Sequence, residues 1–200
     1  MPIELIPLVF FAIAQIGTPG PANMVLLATG AGYGLRRTLP FVAGVIVGKQ
    51  IIIWPLGFGL MHLAQSWPVL FFIMKYLSAA YIIYLAWRVA NMRLNSKQGE
   101  GSAPGFIAGL IVHPLNPKAW GMITASFTSF VIPGSDIFLT TLSVAVVLIS
   151  CQTILHPIWA GVGQLIAKTI QGTRAERGVF VILALITLIT VFYALFGGLI

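Results

Sequence analysis

The chain has 200 residues, of which 58% are hydrophobic and only 8% charged, and its mean hydropathy is +1.00. Soluble domains carry about 25% charged residues, so this composition excludes a soluble domain and indicates an integral membrane protein. A bilayer core of ~30 Å requires roughly 20 apolar residues per helix, which leaves room for about six spans joined by short loops.

Six apolar segments follow one another along the chain and are predicted to be membrane-spanning helices. They cover residues 3–29, 39–63, 67–87, 106–132, 137–166 and 179–200. The first segment has no basic stretch, because Glu4 is its only charge, and is predicted to be a retained helix rather than a signal peptide. A polar, Gly- and Ser-rich linker at residues 93–104 separates residues 1–92 from residues 105–200 within one membrane domain.

The basic residues predict the orientation of these spans. Lys and Arg occur in the predicted loops 30–38, 88–105 and 167–178, whereas the loops on the other side and both termini have none. The positive-inside rule places the basic loops in the cytoplasm and both termini on the outer side of the membrane. The net charge of +7 is mostly this topological signal, because the basic residues are divided among short loops, so no nucleic-acid partner is predicted.

Prolines interrupt the first and the fourth apolar segments. The stretches are "GTPGPANM", Gly17–Met24, and "HPLNPKAW", His113–Trp120. A proline removes a backbone donor and clashes with the preceding turn, so each of these spans is predicted to split into two half-helices near the midplane of the membrane. Broken backbone is tolerated at that depth only inside protein or facing a water-filled cavity.

The two halves of the chain also carry a repeated pattern. When Val45–Gly59 is aligned with Val147–Gly161, Gln50 meets Gln152 and a proline meets a proline at the same spacing. Each half holds three spans, an odd number, so the second half enters the membrane from the opposite side and forms an inverted repeat. The predicted fold is an all-α integral membrane protein of six transmembrane helices in an inverted 3+3 repeat, with helices 1 and 4 broken.

The two breaks predict a binding site for an anion such as a carboxylate. The half-helices that begin after Pro21 and after Pro117 would direct their positive dipole ends at one point. The N–H groups expected to hold the carboxylate are those around Gly20 to Asn23 and around Pro117 to Ala119. A lysine at the centre of a span costs ~2.5 to 3.5 kcal/mol, and Lys49, Lys75 and Lys118 all lie within predicted spans. Lysine snorkelling to the interface is an alternative, especially for Lys75, whereas Lys49 and Lys118 lie beside polar or helix-breaking residues that suit a cavity.

Other polar residues in the spans are candidates for the same site. Asn23, Asn116, Gln50 and Gln152 could orient a zwitterion, or they could bond between helices. His113 and His156 each precede a proline, and histidine changes its charge near neutral pH, so both are candidates for proton coupling. A neutral histidine bonded to a freed carbonyl would explain them as well.

Metal, cofactor and enzyme chemistry are not predicted. The single cysteine, Cys151, excludes an intramolecular disulfide and a CxxC site. The spans hold no intramembrane carboxylate, because Glu4 and Asp136 lie at their ends, and the histidines are scattered. A GxxxG pair, Gly44 and Gly48, is expected to allow close helix approach within or between subunits.

Three stretches resemble the LysE/RhtB family of bacterial amino-acid exporters. They are "TPGPANMVLLATGAGYGLRRTLPFVAGVIVG", "KYLSAAYIIYLAW" and "GFIAGLIVHPLNPKAW", in that order. The resemblance implies a six-span inner-membrane protein that exports amino acids or related metabolites in exchange for protons. The residues that match the two motifs of the family are Thr18, Pro19, Gly20 and Pro21 in the first, and Asn116, Pro117 and Lys118 in the second.

The sequence therefore predicts a secondary transporter that exports a small carboxylate-bearing metabolite by alternating access. Its partners are this small-molecule substrate and the lipid bilayer, and a thin six-span monomer with two broken helices is compatible with a homodimer. An anion-selective channel and an ion exporter of related fold remain as alternatives. Saturable transport driven by a pH gradient distinguishes the exporter from a channel.

Overall fold

A computed structural model of the chain describes residues 1–60, 76, 80, 83–84, 87, 102–170, 173 and 175–196. Within these residues all regular secondary structure is helical, apart from a single bridge between Ile3 and Val131. Most of the predicted third span, including Lys75, and most of the predicted linker at residues 93–104 lie outside the described residues.

Seven α-helices are described, and we number them in chain order. They are α1 Leu5–Gly17, α2 Pro21–Tyr33, α3 Leu35–Pro55, α4 Phe106–Leu110, α5 Pro117–Ser129, α6 Ile137–Ile170 and α7 Ala175–Phe196. A π-helical turn, Leu56–Leu60, extends α3.

Two of the described helices are long and apolar enough to cross a bilayer. They are Leu35–Gly59, which is α3 with part of its π-helical extension, and α6. Helices α1 and α2 pass the same test only together, as one span bent by 53°. The described part of the chain thus accounts for up to three of the six predicted spans.

The first predicted break lies between α1 and α2. Thr18 and Gly20 both have extended backbone, with φ and ψ of −79° and 149° at Thr18 and −171° and 171° at Gly20. Pro21 then starts α2 at the first helical position, where the missing N–H costs nothing and the fixed φ suits a helix.

The second break is longer. Helix α4 ends at Leu110, residues 111–115 form a turn, and Asn116 precedes α5, which begins at Pro117. The Asn116 N–H donates to the His113 carbonyl at 2.9 Å, and the Trp120 indole donates to the Pro114 carbonyl at 3.0 Å. His113 is therefore held in the turn between the two half-helices.

Two of the predicted loops are shorter in the structure than the sequence predicts. The loop predicted at residues 30–38 is reduced to Gly34, whose φ of 79° is a conformation that glycine adopts at little cost. Arg36 and Arg37 lie instead in the first turn of α3, where both side chains are exposed. The loop predicted at 167–178 is similarly shortened, since α6 continues to Ile170 and α7 begins at Ala175.

Glycines set the closest helix contacts. A Cβ added at Gly30 would collide with the Ala160 carbonyl of α6, and one added at Gly163 of α6 would collide with the Leu27 carbonyl of α2. Gly44 and Gly48 make the same kind of contact with the backbone of α4. The predicted GxxxG pair thus acts within this chain, where small residues let backbones approach and gain van der Waals contact.

Replacing Gly163 by alanine is expected to lower the unfolding temperature of the detergent-solubilised protein by several degrees. The added methyl group overlaps the α2 backbone, and overpacking of this kind costs about 1–3 kcal/mol. Gly121→Ala in α5 is the matched control, because a Cβ there meets nothing within 4 Å. Equal unfolding temperatures for the two variants would contradict close α2–α6 packing.

Hydrogen bonds join the first half of the chain to the second half at two places. At one end, the Glu4 N–H donates to the Phe130 carbonyl at 2.8 Å, and the Ile132 N–H donates to the Pro2 carbonyl at 3.1 Å. At the other end, the Leu35 N–H donates to Gln164 Oε1 at 2.6 Å. The start of α1 therefore lies beside the end of α5, and the start of α3 lies beside the last third of α6.

Candidate substrate site

The two breaks open onto one cavity. Side chains or backbone from both halves of the chain form its walls. The lining residues are Gln15, Ile16, Gly20, Ala22, Asn23, Lys49, His113, Asn116, Lys118, Ala119, Met122 and His156. The structure thus brings together seven of the predicted site residues: Gly20, Asn23, Lys49, His113, Asn116, Lys118 and His156.

Asn23 holds the first break in its bent shape. Its side-chain Nδ2 donates to the Ile16 carbonyl and to the Thr18 carbonyl, both at 2.7 Å. These carbonyls lie at the C-terminal end of α1, where the helix leaves them without backbone partners. Both amide donors of Asn23 are therefore used within the protein, and only its Oδ1 is left for a ligand.

Lys118 connects the second break to the first. Its Nζ donates to Thr18 Oγ1 at 2.9 Å and to the Pro19 carbonyl at 3.4 Å. Gly20 makes room for this arrangement, because a Cβ there would lie 3.1 Å from both Cδ and Nζ of Lys118. The lysine of one motif thus lies directly against the TPGP motif of the other.

The two helix N-termini at the cavity differ in whether their first backbone N–H groups have a described acceptor. At α5, Asn116 Oδ1 accepts from the Lys118 N–H at 3.1 Å, and the Asn116 carbonyl accepts from the Ala119 N–H at 2.9 Å. At α2, no described residue accepts from the N–H groups of Ala22 or Asn23. The donors expected around Pro117 to Ala119 are therefore already occupied, whereas those of α2 are available.

Lys49 lies deep in the wall formed by α3. It is only 2% exposed, and its Nζ lies 3.9 Å from Met122 Sδ. No ion pair joins it to an acidic residue within the described ranges. The buried amine of Lys49 thus lies against a thioether, with no carboxylate partner among the described residues.

The two histidines lie together, and Gln152 contacts one of them. The rings of His113 and His156 are stacked, with centroids 5.6 Å apart and an interplanar angle of 27°. Gln152 Nε2 lies 3.1 Å from His113 Nε2, so Gln152 touches the site through the histidine rather than lining the cavity. Nδ1 of each ring is buried without a hydrogen-bond partner in the described part of the protein.

The remaining predicted residues lie at the edge of the cavity or away from it. Pro21 and Pro117 each occupy the first position of a half-helix, and Thr18 and Pro19 meet the cavity through Lys118. Gln50 does not line the cavity, and its Nε2 is buried without a partner among the described atoms.

Three lining residues were not predicted: Gln15, Ile16 and Met122. A sequence signal existed for Met122, because it lies four residues after Lys118 and therefore on the same helix face. Ala22 and Ala119 belong to the two stretches whose backbone N–H groups were expected at the site. Gln15 and Ile16 belong to the last turn of α1, and the bend brings them to the cavity.

Among the residues that the structure describes, the cavity wall carries two lysine side chains, Lys49 and Lys118, and no carboxylate. Glu4 and Asp136 are exposed at the ends of helices, far along the chain from the breaks. No group of three or more His, Cys, Asp or Glu suited to a metal ion occurs in the described ranges. The described lining thus combines two lysine side chains with the N-terminal end of α2.

A family description, LysE type translocator, matches residues 13–198. The chain belongs to the LysE-type translocator family. This match confirms the resemblance that the TPGP and NPKA motifs indicate. This LysE-type translocator is accordingly a membrane transporter and not an enzyme, and its apolar helices fit a multi-pass protein of the bacterial inner membrane.

Relatives of this translocator carry names of efflux proteins. It is 32% identical to the leucine efflux protein of Enterobacter sp. (strain 638) over 120 residues, which are 56% of each chain. That match therefore spans a little over half of the relative's length. The translocator is 29% identical to the cysteine/O-acetylserine efflux protein of Klebsiella pneumoniae over 154 residues, or 76% of this chain and 77% of that one. No solved structure matches the translocator.

Proposed function

We propose that this translocator exports an amino acid or a similar small carboxylate metabolite by alternating access, in exchange for protons. The observation that carries the proposal is the 2.9 Å hydrogen bond from Lys118 Nζ to Thr18 Oγ1, which joins the two broken helices at one positively charged cavity. The efflux of leucine and of cysteine or O-acetylserine by its named relatives supports an amino-acid substrate.

The substrate carboxylate binds between Lys118 and the N-terminus of α2. The N–H groups of Ala22 and Asn23 have no described acceptor, and they stand at the positive end of the α2 dipole. Lys118 adds a full positive charge that reaches the same break. Charge-assisted hydrogen bonds of this kind are about twice as strong as those between neutral groups.

The rest of the substrate faces the other wall residues. The C-terminal end of α1, at Gln15 and Ile16, presents the negative end of a helix dipole to the cavity. The two carbonyls already accept from Thr18 and Asn23, and the second lone pair of each suits an α-ammonium group. Asn116 and His113 supply polar contacts, and Gln152 positions His113 from outside the cavity. Gln50 lies outside the described lining, so a contact from it would need a conformation in which it turns towards the cavity. The broken first span thus presents the N-terminus of α2 to the carboxylate of a zwitterion and the C-terminus of α1 to its ammonium group.

The proposed frame is an inverted repeat of six spans, with residues 1–92 and 105–200 as the two repeats, residues 93–104 as the linker and both termini outside. The hydrogen bonds between residues 2–4 and 130–132 support it, because six spans would put the first residues and the end of the fourth span on the same side. A homodimer in the inner membrane remains a prediction of this frame.

Flux through proteoliposomes tests the proposal. With purified protein and radiolabelled L-leucine, L-cysteine or O-acetyl-L-serine, we expect saturable transport that a pH gradient of the exporting sign drives uphill. Liposomes without protein are the control. An ohmic anion current that does not saturate would contradict the exporter and favour the anion-selective channel, and movement of a metal ion alone would favour an ion exporter of related fold.

A further inference from the structure

Lys49 differs from Lys118, the other lysine of the cavity wall, in having no oxygen partner among the described residues. Its side chain is 2% exposed, and the described hydrogen-bond partner of its Nζ is Met122 Sδ at 3.9 Å, a weak acceptor. The Nζ of Lys118, by contrast, donates to a hydroxyl and to a carbonyl. The charge of Lys118 is therefore compensated locally, and that of Lys49 is not.

Among the described residues, the charged or titratable groups that face Lys49 are Lys118 from α5, His113 from the turn before α5, and Cys151 and His156 from α6. The Cys151 thiol is the one member of this set that becomes negative when it loses its proton, and no carboxylate belongs to the set. Helices α1 and α2 contribute only neutral residues to the cavity. An additional positive charge in this space would be repelled by both lysines, most strongly where no oxygen offsets the charge.

An amino-acid substrate brings a positive charge, that of its α-ammonium group, into the cavity. Its carboxylate is accommodated by Lys118 and the α2 N-terminus, but its α-ammonium must lie in the same cavity as the Lys49 ammonium. Like charges in a poorly hydrated space favour the loss of one proton. Lys49 can lose its proton and keep its packing, because its stem is apolar, whereas the substrate must keep its own charge to be held at the end of α1.

We propose that Lys49 is the proton-exchange group of the translocator, and that it releases its proton when the α-ammonium of an amino acid enters the cavity. This inference rests on the proposed function, whose binding site it shares. On the cytoplasmic side, the zwitterion binds and Lys49-NH₃⁺ becomes Lys49-NH₂, with the proton passing to cytoplasmic water. On the outer side, the zwitterion leaves and Lys49-NH₂ takes a proton from outside water.

One cycle therefore moves one zwitterion out and one proton in, and no other reactant is needed. The direction agrees with export driven by an inward proton gradient. The proton on Lys49 and the α-ammonium of the substrate do not occupy the cavity at the same time. This mutual exclusion is sufficient to couple the movement of the proton to that of the substrate. In this scheme the stacked histidines are neutral wall residues rather than proton carriers.

Proton release on binding tests the inference with the unmodified protein. L-leucine and 4-methylpentanoate have the same carboxylate and side chain, and only leucine carries an α-ammonium. We mix each with purified protein in weakly buffered detergent solution containing a pH indicator, and we follow binding by the shift in unfolding temperature. Leucine is expected to release about one proton per molecule bound, whereas 4-methylpentanoate binds without release.

The variant Lys49→Met assigns the proton to its source. At leucine concentrations that saturate the unfolding-temperature shift, Lys49→Met is expected to release no proton, while the exposed-residue control Lys168→Met releases as many as the unmodified protein. Release that persists in Lys49→Met, or that disappears instead in His113→Gln or His156→Gln, would overturn the inference. Equal release with both ligands would overturn it as well.

The inference and the proposed function fail in different ways. If leucine binds without proton release, the role proposed for Lys49 is wrong, and the proposed carboxylate site is unaffected. If neither L-leucine nor L-cysteine nor O-acetyl-L-serine shifts the unfolding temperature of the unmodified protein, the proposed amino-acid site is wrong, and the role of Lys49 falls with it.

Discussion

Replacement of Lys118 by methionine is expected to reduce transport in proteoliposomes by about 10- to 100-fold, because a hydrogen bond to a charged group contributes about 1.5–3 kcal/mol. The methionine side chain keeps the apolar stem that lies against Gly20, but it cannot donate to Thr18 or to a substrate carboxylate. The initial rate of uptake of labelled leucine, cysteine or O-acetylserine measures the loss.

Lys168→Met is the matched control for this variant. Lys168 is an exposed lysine in the last turn of α6, outside the cavity, so its loss removes one positive charge without touching the site. We expect near-normal uptake for Lys168→Met and a similar unfolding temperature for both variants. Full uptake by Lys118→Met would remove this lysine from the site and with it the proposed carboxylate position.

Replacement of Gly20 by valine is expected to inhibit transport about as strongly as loss of Lys118. The backbone of Gly20 is extended, with φ at −171°, so any residue can adopt it and the helices need not move. The new side chain occupies the space of Lys118 Cδ and Nζ, which lie 3.1 Å from a Cβ at this position. The ammonium is then displaced from Thr18 and from the substrate position.

Gly17→Val provides the control on the other side of the same break. A Cβ at Gly17 meets nothing within 4 Å, so the added side chain does not approach Lys118. Transport rates and unfolding temperatures of the two variants are compared in the same liposome preparation. Equal inhibition by Gly17→Val and Gly20→Val would show that the break tolerates no bulk anywhere, and would contradict a specific role for the Lys118 contact.

The sequence predicted the position of both breaks and the lysines beside them. Prolines at residues 19, 21, 114 and 117 within apolar segments indicate interrupted helices by themselves, because the loss of an N–H is a property of the residue. A lysine within such a segment likewise indicates a cavity, because its burial in lipid is costly. These signals are local, so they required no knowledge of the packing.

The hydrogen-bond partners at the breaks could not be predicted from the sequence. Asn23 was predicted as a ligand for substrate, but the 53° bend brings its amide to the carbonyls of Ile16 and Thr18. Asn116 was also predicted as a ligand, and its Oδ1 caps α5. Which acceptor an amide reaches depends on the angle between two helices, and spacing along the chain does not determine that angle.

The extent of the loops could not be predicted from charge. Arg36 and Arg37 indicate the cytoplasmic side of the membrane, but they do not indicate the end of a helix, because arginine is a good helix former. A single glycine, Gly34, was sufficient to reverse the chain between α2 and α3. The carbonyl contacts of Gly30 and Gly163 likewise emerge only when α2 and α6 are in place.

The most direct test of the proposed site is the structure of the protein with L-leucine bound in a lipid nanodisc. We expect the leucine carboxylate within hydrogen-bond distance of Lys118 Nζ and of the N–H groups of Ala22 and Asn23, in the cavity between the two breaks. A leucine carboxylate bound elsewhere, with the Lys118–Thr18 hydrogen bond intact and the cavity empty, would contradict it.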